Sequence, residues 1–272
     1  MTKAIETYIV DSFTDEAFKG NPAGVCLLQD HLEDHQMLSI AKELGLSETA
    51  FLSKKKKDNT YAIRFFSPKM EIPLCGHATL ASAKIIFNKH PQINEIHFIN
   101  VDKLDLWIQR KGEEILMEFP IYETYPADAP NALLDALGLS TINNSVYNKE
   151  TNILLLEISD SQVIKDLKPD FEALYASTDT INGVLVTAPS RKEDYDFESR
   201  YFWPWSGTNE DPVTGGTHTF LTKYWSERLG KKKMNSFQCS ERTGFMEVEL
   251  ISENKLTIKS KAQIVLRGEL WI

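Results

Sequence analysis

The sequence predicts an α+β fold of two similar lobes, each a mostly antiparallel sheet rolled around a central helix, and three observations point there. A phrase is stated twice. Arg64-Phe65-Phe66-Ser67-Pro68 followed by Glu71-Ile72-Pro73-Leu74-Cys75-Gly76 returns, roughly half of the 272 residues later, as Arg200-Tyr201-Phe202-Trp203-Pro204 followed by Glu210-Asp211-Pro212-Val213-Thr214-Gly215. Each copy ends in a glycine that leads into a helical pattern. In the first of those patterns Leu80, Ala83, Lys84 and Phe87 lie among the small residues Ala78, Ala81 and Ser82, which suits a helix packed on several sides and therefore a sheet around it. The division expected is a lobe over 1–125 and a second over 126–272, with the last strands able to cross back to the first.

The elements follow in order. Alternating apolar residues make Ile5 to Val10 a strand, and the run Val25 to Leu28 a second one after a turn at Gly20-Asn21-Pro22-Ala23-Gly24. Met37, Ile40, Ala41 and Leu44 recur at helical spacing and Gly45 ends that helix. Thr49 to Ser53 and Tyr61 to Phe66 read as strands. So do Ile96 to Asn100, Leu104 to Gln109 and Ile115 to Phe119, with Lys111-Gly112 as a hairpin turn. Tyr122 to Asn131 carries Pro126 and Pro130 and reads as a linker. The second half offers strands near Ile153 to Ile158 and Val184 to Thr187, a short helix near Phe171 to Ala176, and a helix over Thr217 to Arg228. Strands at Met246 to Leu250, Lys255 to Lys259 and Ile264 to Ile272 complete it.

A formal charge of −9 argues against nucleic-acid binding, which needs a basic face. The basic clusters Lys54 to Lys57 and Lys231 to Lys233 follow element ends and read as solvated loops. Cys26, Cys75 and Cys239 cannot all pair and fit no zinc spacing, so a reducing cytoplasm is the simplest setting. The first residues lack the features of a signal peptide, and no apolar run approaches a membrane span, so no membrane partner is expected.

Glycine-opened helices point to an anion. Gly76 and the pair Gly215-Gly216 let a ligand approach the backbone, and helix starts present N–H groups and partial positive charge. His77 and Asp211 flank the expected pocket. The histidine suits proton movement near neutral pH, or else is a helix-terminal residue with backbone partners; Asp211, before a proline, is equally a turn residue. Glu48 leads into an apolar strand, where partial desolvation raises a carboxyl's pKa and makes it usable as acid and base; the other reading is a surface glutamate at a strand start. The second half has no matching glutamate, its comparable stretch being Ala176-Ser177-Thr178-Asp179-Thr180. Cys75 aligns with Thr214, which disfavours a two-thiol mechanism and leaves Cys75 as a buried free thiol.

Together these motifs resemble the PhzF-like family of phenazine-biosynthesis isomerases, which share the diaminopimelate epimerase fold. The matching pieces are Val10-Asp11-Ser12-Phe13 with Gly20 to Val25, Leu46 to Phe51, Arg64 to Pro68 with Cys75 to Thr79, Glu210 to Gly215, and Gln238 to Glu249 with Arg242 and Gly244. The resemblance implies an active site between the lobes, Glu48 as acid/base, His77 and Asp211 as further polar site residues, and Asn21, Ser47, Gly76 and Gly215 lining the pocket. The family commonly has serine where this chain has Gly216. The reading is a cofactor-independent isomerase acting on a small carboxylate-bearing substrate, held by the backbone at Gly76, His77, Gly215 and Gly216. No cofactor or metal is implied, and a homodimer stays open. The alternatives are a catalytically idle binding or interaction protein of the same fold and an amino-acid epimerase.

Overall fold

The computed structural model describes residues 3–272. The first elements are β1 (Ala4–Ser12), β2 (Asn21–Leu28), α1 (Asp34–Leu44), β3 (Glu48–Lys54), β4 (Thr60–Phe66), β5 (Glu71–Ile72), α2 (Gly76–Lys89), β6 (Glu95–Ile99), β7 (Asp105–Lys111) and β8 (Glu114–Pro120). Next come β9 (Tyr125–Pro126), α3 (Asn131–Leu137), β10 (Asn144–Asn148), β11 (Ile153–Glu157), α4 (Ser161–Asp166), α5 (Phe171–Ala176), β12 (Gly183–Pro189) and β13 (Phe197–Trp203). The chain finishes with β14 (Thr208–Asp211), α6 (His218–Leu229), β15 (Lys233–Gln238), β16 (Gly244–Leu250), β17 (Lys255–Ser260) and β18 (Ala262–Trp271).

Two compact units result, one of residues 1–118 with 259–272 and one of residues 119–258. The expected boundary after residue 125 falls inside the second unit, and the final strand β18 pairs antiparallel with β1 in the first.

The duplicated phrase marks a duplicated topology. In the first unit β1 and β2 are antiparallel, β2 and β3 parallel, β3 and β4 antiparallel, β4 is antiparallel to β5 and parallel to β6, and β6 and β7 are antiparallel. The second unit repeats those pairings in the same sequence with β10 to β16. Helix α2 lies between β5 and β6 in the chain, as α6 lies between β14 and β15. The repeated arginines hold equivalent clamps. Arg64 donates from Nε and Nη2 to Glu71 at 2.7 and 2.6 Å, and Arg200 to Glu210 at 2.7 and 2.7 Å. Each guanidinium also lies over the ring two residues on, 5.1 Å from the centroid of Phe66 and 4.8 Å from that of Phe202.

Both central helices are buried on more than one face, as the small residues of the first require. In α2 the run His77 to Ala83 and then Ile85 to Phe87 is buried, against β1, β2, β3 and β18. Its polar side chains turn back onto the helix: Thr79 Oγ1 donates to Cys75 O and Ser82 Oγ to Ala78 O, both at 2.7 Å. In α6, Trp225 stacks on Phe197 with centroids 5.5 Å apart and donates its indole N–H to Thr187 Oγ1 at 2.9 Å.

Three local expectations are corrected. Asn21 to Gly24 is the first half of β2, paired with β1 from Ser12↔Asn21 to Ile9↔Gly24. The reversal is made earlier, at the left-handed Gly20 (φ +68°), where an added Cβ would stand 2.1 Å from Ser12 O. The expected linker is also part of a sheet, since Val146 pairs with Pro126 and Tyr147 with Tyr125, while Ala127 and Ala129 pack on the second unit's core. Finally, α6 starts at His218 with Thr217 as its N-cap, so Gly215 and Gly216 form the turn before the helix: their carbonyls accept from His218 N at 3.1 Å and Thr219 N at 3.2 Å.

His218 gives the fold a pH dependence. Its ring is buried, with Nδ1 3.2 Å from Thr214 O and Nε2 2.8 Å from Ser236 Oγ. A neutral tautomer satisfies both contacts, donating from Nδ1 to Thr214 O and accepting at Nε2 from the Ser236 hydroxyl. Burial pushes its pKa down to about 4, against the smaller opposing effect of the Thr214 and Gly215 backbone. From pH 6.5 down to about 4 the unfolded chain takes up a proton that the folded chain refuses, so stability falls with pH across that window. The loss should reach about 3 kcal/mol. Urea unfolding at stepped pH should show it, and His218→Gln should flatten the slope; an unchanged slope would remove His218 as its source.

Candidate active site

Glu48 is the first residue of β3. Helix α1 stops at Gly45, left-handed with φ 63°, and the chain turns through Ser47 to put Glu48 opposite Ala23 of the parallel strand β2. His77 is the second residue of α2, whose N-cap is Cys75, and Ser12 Oγ of β1 fixes its backbone by donating to His77 O at 2.7 Å. These elements bring four side chains together. His77 Nε2 lies 3.1 Å from Glu48 Oε2 and 3.4 Å from Ser47 Oγ, and His77 Nδ1 lies 3.4 Å from Cys75 Sγ. The Glu48 and His77 side chains are only 12% and 10% exposed, which makes this a desolvated pair. Asn21 is buried at the start of β2, across from Ser12.

The expected upward shift of Glu48 is overturned. Burial does push the carboxyl up, but the hydrogen bond and charge of His77, with a further hydrogen bond from Ser47, outweigh it and hold Glu48 below the ordinary 4.5. For His77 burial pushes down, yet Cys75 and Glu48 together raise it well above 6.5. Burial raises the Cys75 thiol. The pairing thus favours a Glu48 carboxylate beside a protonated His77, while burial favours the neutral Cys75 thiol. Glu48 is a base whose conjugate acid forms beside a cation.

In the second unit, Asp211 closes β14. Thr214 Oγ1 donates to Asp211 Oδ2, Gln238 Nε2 donates to Asp211 O at 2.7 Å, and Thr214 N donates to Gln238 Oε1 at 2.8 Å. Gln238 thus organises the turn that leads to Gly215 and Gly216. Thr217, the N-cap of α6, makes no side-chain hydrogen bond to the N–H groups of that helix start.

Sheet register identifies the counterparts of the Glu48–His77 pair. Phe51 faces Arg64 as Val186 faces Arg200, and Glu48 faces Ala23 as Gly183 faces Ile153, so the position equivalent to Glu48 is Gly183. The stretch Ala176 to Thr180 lies before it. Thr79 bonds to Cys75 O as His218 bonds to Thr214 O, which aligns His77 with Gly216. Both members of the acid–base pair are glycine in the second unit. They differ in what they allow. A Cβ on Gly183 would stand 2.4 Å from Tyr201 Oη and 2.5 Å from Tyr201 Cε2, whereas one on Gly216 would meet nothing within 4 Å. Gly183→Ala should therefore lower the unfolding free energy by about 1–3 kcal/mol, and Gly216→Ser should leave it within about 0.5 kcal/mol. Chemical denaturation of the two variants checks the contrast; equal effects would contradict the register.

The chain is similar to known proteins over nearly its whole length. The PhzC-PhzF family model, described as phenazine biosynthesis-like protein, matches residues 10–268. The chain belongs to this family. The phenazine biosynthesis-like domain-containing protein 2 of Mus musculus is 40% identical, the match covering 97% of this chain and 98% of that protein. An uncharacterized isomerase of Pseudomonas aeruginosa is 38% identical, with 97% of each covered. The crystal structure of a PhzF-family phenazine biosynthesis protein from Enterococcus faecalis superimposes with a TM-score of 0.90 at 36% identity, covering 99% of this chain and 100% of that one. The fold is thus the α+β fold of the PhzF family, an isomerase-type family. Among the described residues no helix is long and apolar enough to cross a membrane.

Cys75 is the buried free thiol expected, whereas sequence reasoning passed over the roles of Ser12 and Gln238. Ser12 and Gln238 lie inside the quoted family motifs, but their hydrogen bonds reach 65 and 27 residues along the chain, to His77 and Asp211.

Proposed function

We propose that this protein is a cofactor-independent isomerase that moves a proton on a small, unsaturated, carboxylate-bearing substrate. Glu48 removes the proton from a carbon next to the unsaturated or carboxyl-bearing system and returns it elsewhere on the same molecule. His77, as imidazolium, stabilises the negative charge that develops in between. The substrate carboxylate is held by backbone N–H groups at Gly76 and His77, with Ser47 and Asn21 as further polar contacts. The observation that carries this reading is the 3.1 Å contact between buried Glu48 and His77.

Glycine at both counterpart positions supports a single acid–base group and disfavours an epimerase that needs two. Incubating the protein in heavy water with a panel of small unsaturated carboxylic acids, and following C–H signals by proton NMR, tests the proposal without knowledge of the product. Deuterium should enter one carbon of a turned-over acid. A panel that binds, as seen by ligand-detected NMR, yet is neither exchanged nor converted would favour the idle binding protein.

A further inference from the structure

We propose that Glu48, Cys75 and His77 also form a reversible inhibitory site for a zinc-class divalent metal ion. Its effect on turnover rests on the isomerase reading; its existence does not. The three residues stand on a strand start, a helix cap and the first turn of that helix, so no sequence spacing announces them. In the fold, one ligand atom from each lies within 4.8 Å of the others. Glu48 Oε2 and Cys75 Sγ are 3.1 and 3.9 Å from His77 Nε2. Zinc bond lengths of about 2.0–2.1 Å to N and O and about 2.3 Å to S imply tetrahedral ligand edges of about 3.3 Å for N···O and about 3.6 Å for N···S. The third edge, Glu48 to Cys75, is bounded at 4.8 Å against about 3.6 Å for a tetrahedral O···S edge, so the site closes by rotation of the imidazole and a shift of the Glu48 carboxylate toward Cys75.

The ligand set selects the metal. Magnesium and calcium take oxygen ligands, whereas thiolate with imidazole and carboxylate suits zinc or cobalt. Three protein ligands leave a fourth position for water, with Ser47 Oγ nearby at 3.4 Å from Nε2. On binding, the Cys75 S–H and one imidazolium N–H break, S–metal and N–metal bonds form, the Glu48 carboxylate adds the third bond, and two protons leave to solvent with no change of oxidation state. The metal then holds the lone pair with which Glu48 would take the substrate proton.

Cobalt(II) chloride added to the purified protein is the probe. The expected result is one bound equivalent, with a thiolate-to-cobalt charge-transfer band in the near ultraviolet and visible bands of a tetrahedral ion, erased by zinc chloride and untouched by magnesium chloride. Cys75→Ser should lose the charge-transfer band, and Glu48→Gln should weaken binding by at least about tenfold. Circular dichroism and melting of each variant separate ligand loss from unfolding, and each variant supports the test if the other fails to fold. Absent bands in the wild type, or a charge-transfer band that survives Cys75→Ser, overturns the site. Zinc should also suppress heavy-water exchange, with recovery on chelation; exchange indifferent to saturating zinc overturns the inhibition. If no substrate is exchanged or converted at all, the isomerase reading fails while the cobalt spectrum still decides the metal site.

Discussion

Glu48→Gln is expected to slow proton transfer by about 10²- to 10⁴-fold while leaving substrate affinity nearly unchanged. The amide keeps the shape and a hydrogen-bond acceptor toward His77, but it cannot take up and return a proton, so the loss falls on kcat. The wild-type pH profile follows from the same pair. Glu48 must be ionised and its pKa lies below 4.5, so activity fails on the acid side below that value. His77 must be protonated and its neighbours Cys75 and Glu48 raise it well above 6.5, so the basic limb comes above that value. The glutamine variant removes the carboxylate that helps to hold His77 protonated, so any residual activity should lose its basic limb at lower pH. Steady-state kinetics across pH checks both statements, and a glutamine variant with wild-type kcat would remove Glu48 from the chemistry.

Arg200→Ala is expected to cost about 3–5 kcal/mol of stability. The Arg200 and Glu210 side chains are 11% and 18% exposed, and Arg200 Nη1 also donates to Ile164 O at 3.1 Å and Leu167 O at 2.9 Å. Truncation would leave Glu210 without its bidentate partner and two carbonyls of the α4 region without a donor. The equivalent Arg64→Ala should cost about 1 kcal/mol, because its clamp on Glu71 is more exposed and its further bond goes to Asp34, a largely solvated carboxylate. Arg200→Lys should not rescue the loss, since an ammonium cannot reproduce the two parallel N–H···O bonds. Urea unfolding of the three variants gives the comparison; equal costs for Arg64→Ala and Arg200→Ala would contradict the role given to burial.

The duplication was legible because its arginines, glutamates and glycines do a repeated job: the clamp and the turn into the helix recur in each unit. Burial of α2 was legible too, in small residues that leave room on every face. What linear reading missed depends on pairing across the sheets. Tyr122 to Asn131 has the composition of a linker, yet Tyr125 and Pro126 pair with β10. The counterpart of Glu48 was sought among Ala176 to Thr180, whereas the intervening helices α4 and α5 change the spacing and register selects Gly183. Glu48 and His77 were each visible as candidates. Their direct contact was not, and it reverses the direction of the carboxyl's shift.

The central claim is that one carboxylate, Glu48, both takes and returns the proton. Once a substrate is found, it can be prepared with deuterium at the carbon that loses the proton, converted in ordinary water, and the first-turnover product examined by mass spectrometry and NMR. The account predicts that a measurable fraction of product carries the deuterium at the receiving carbon, because the same buried carboxyl delivers it. Product that never carries the label would mean that the proton returned is never the one Glu48 removed, and would contradict the account.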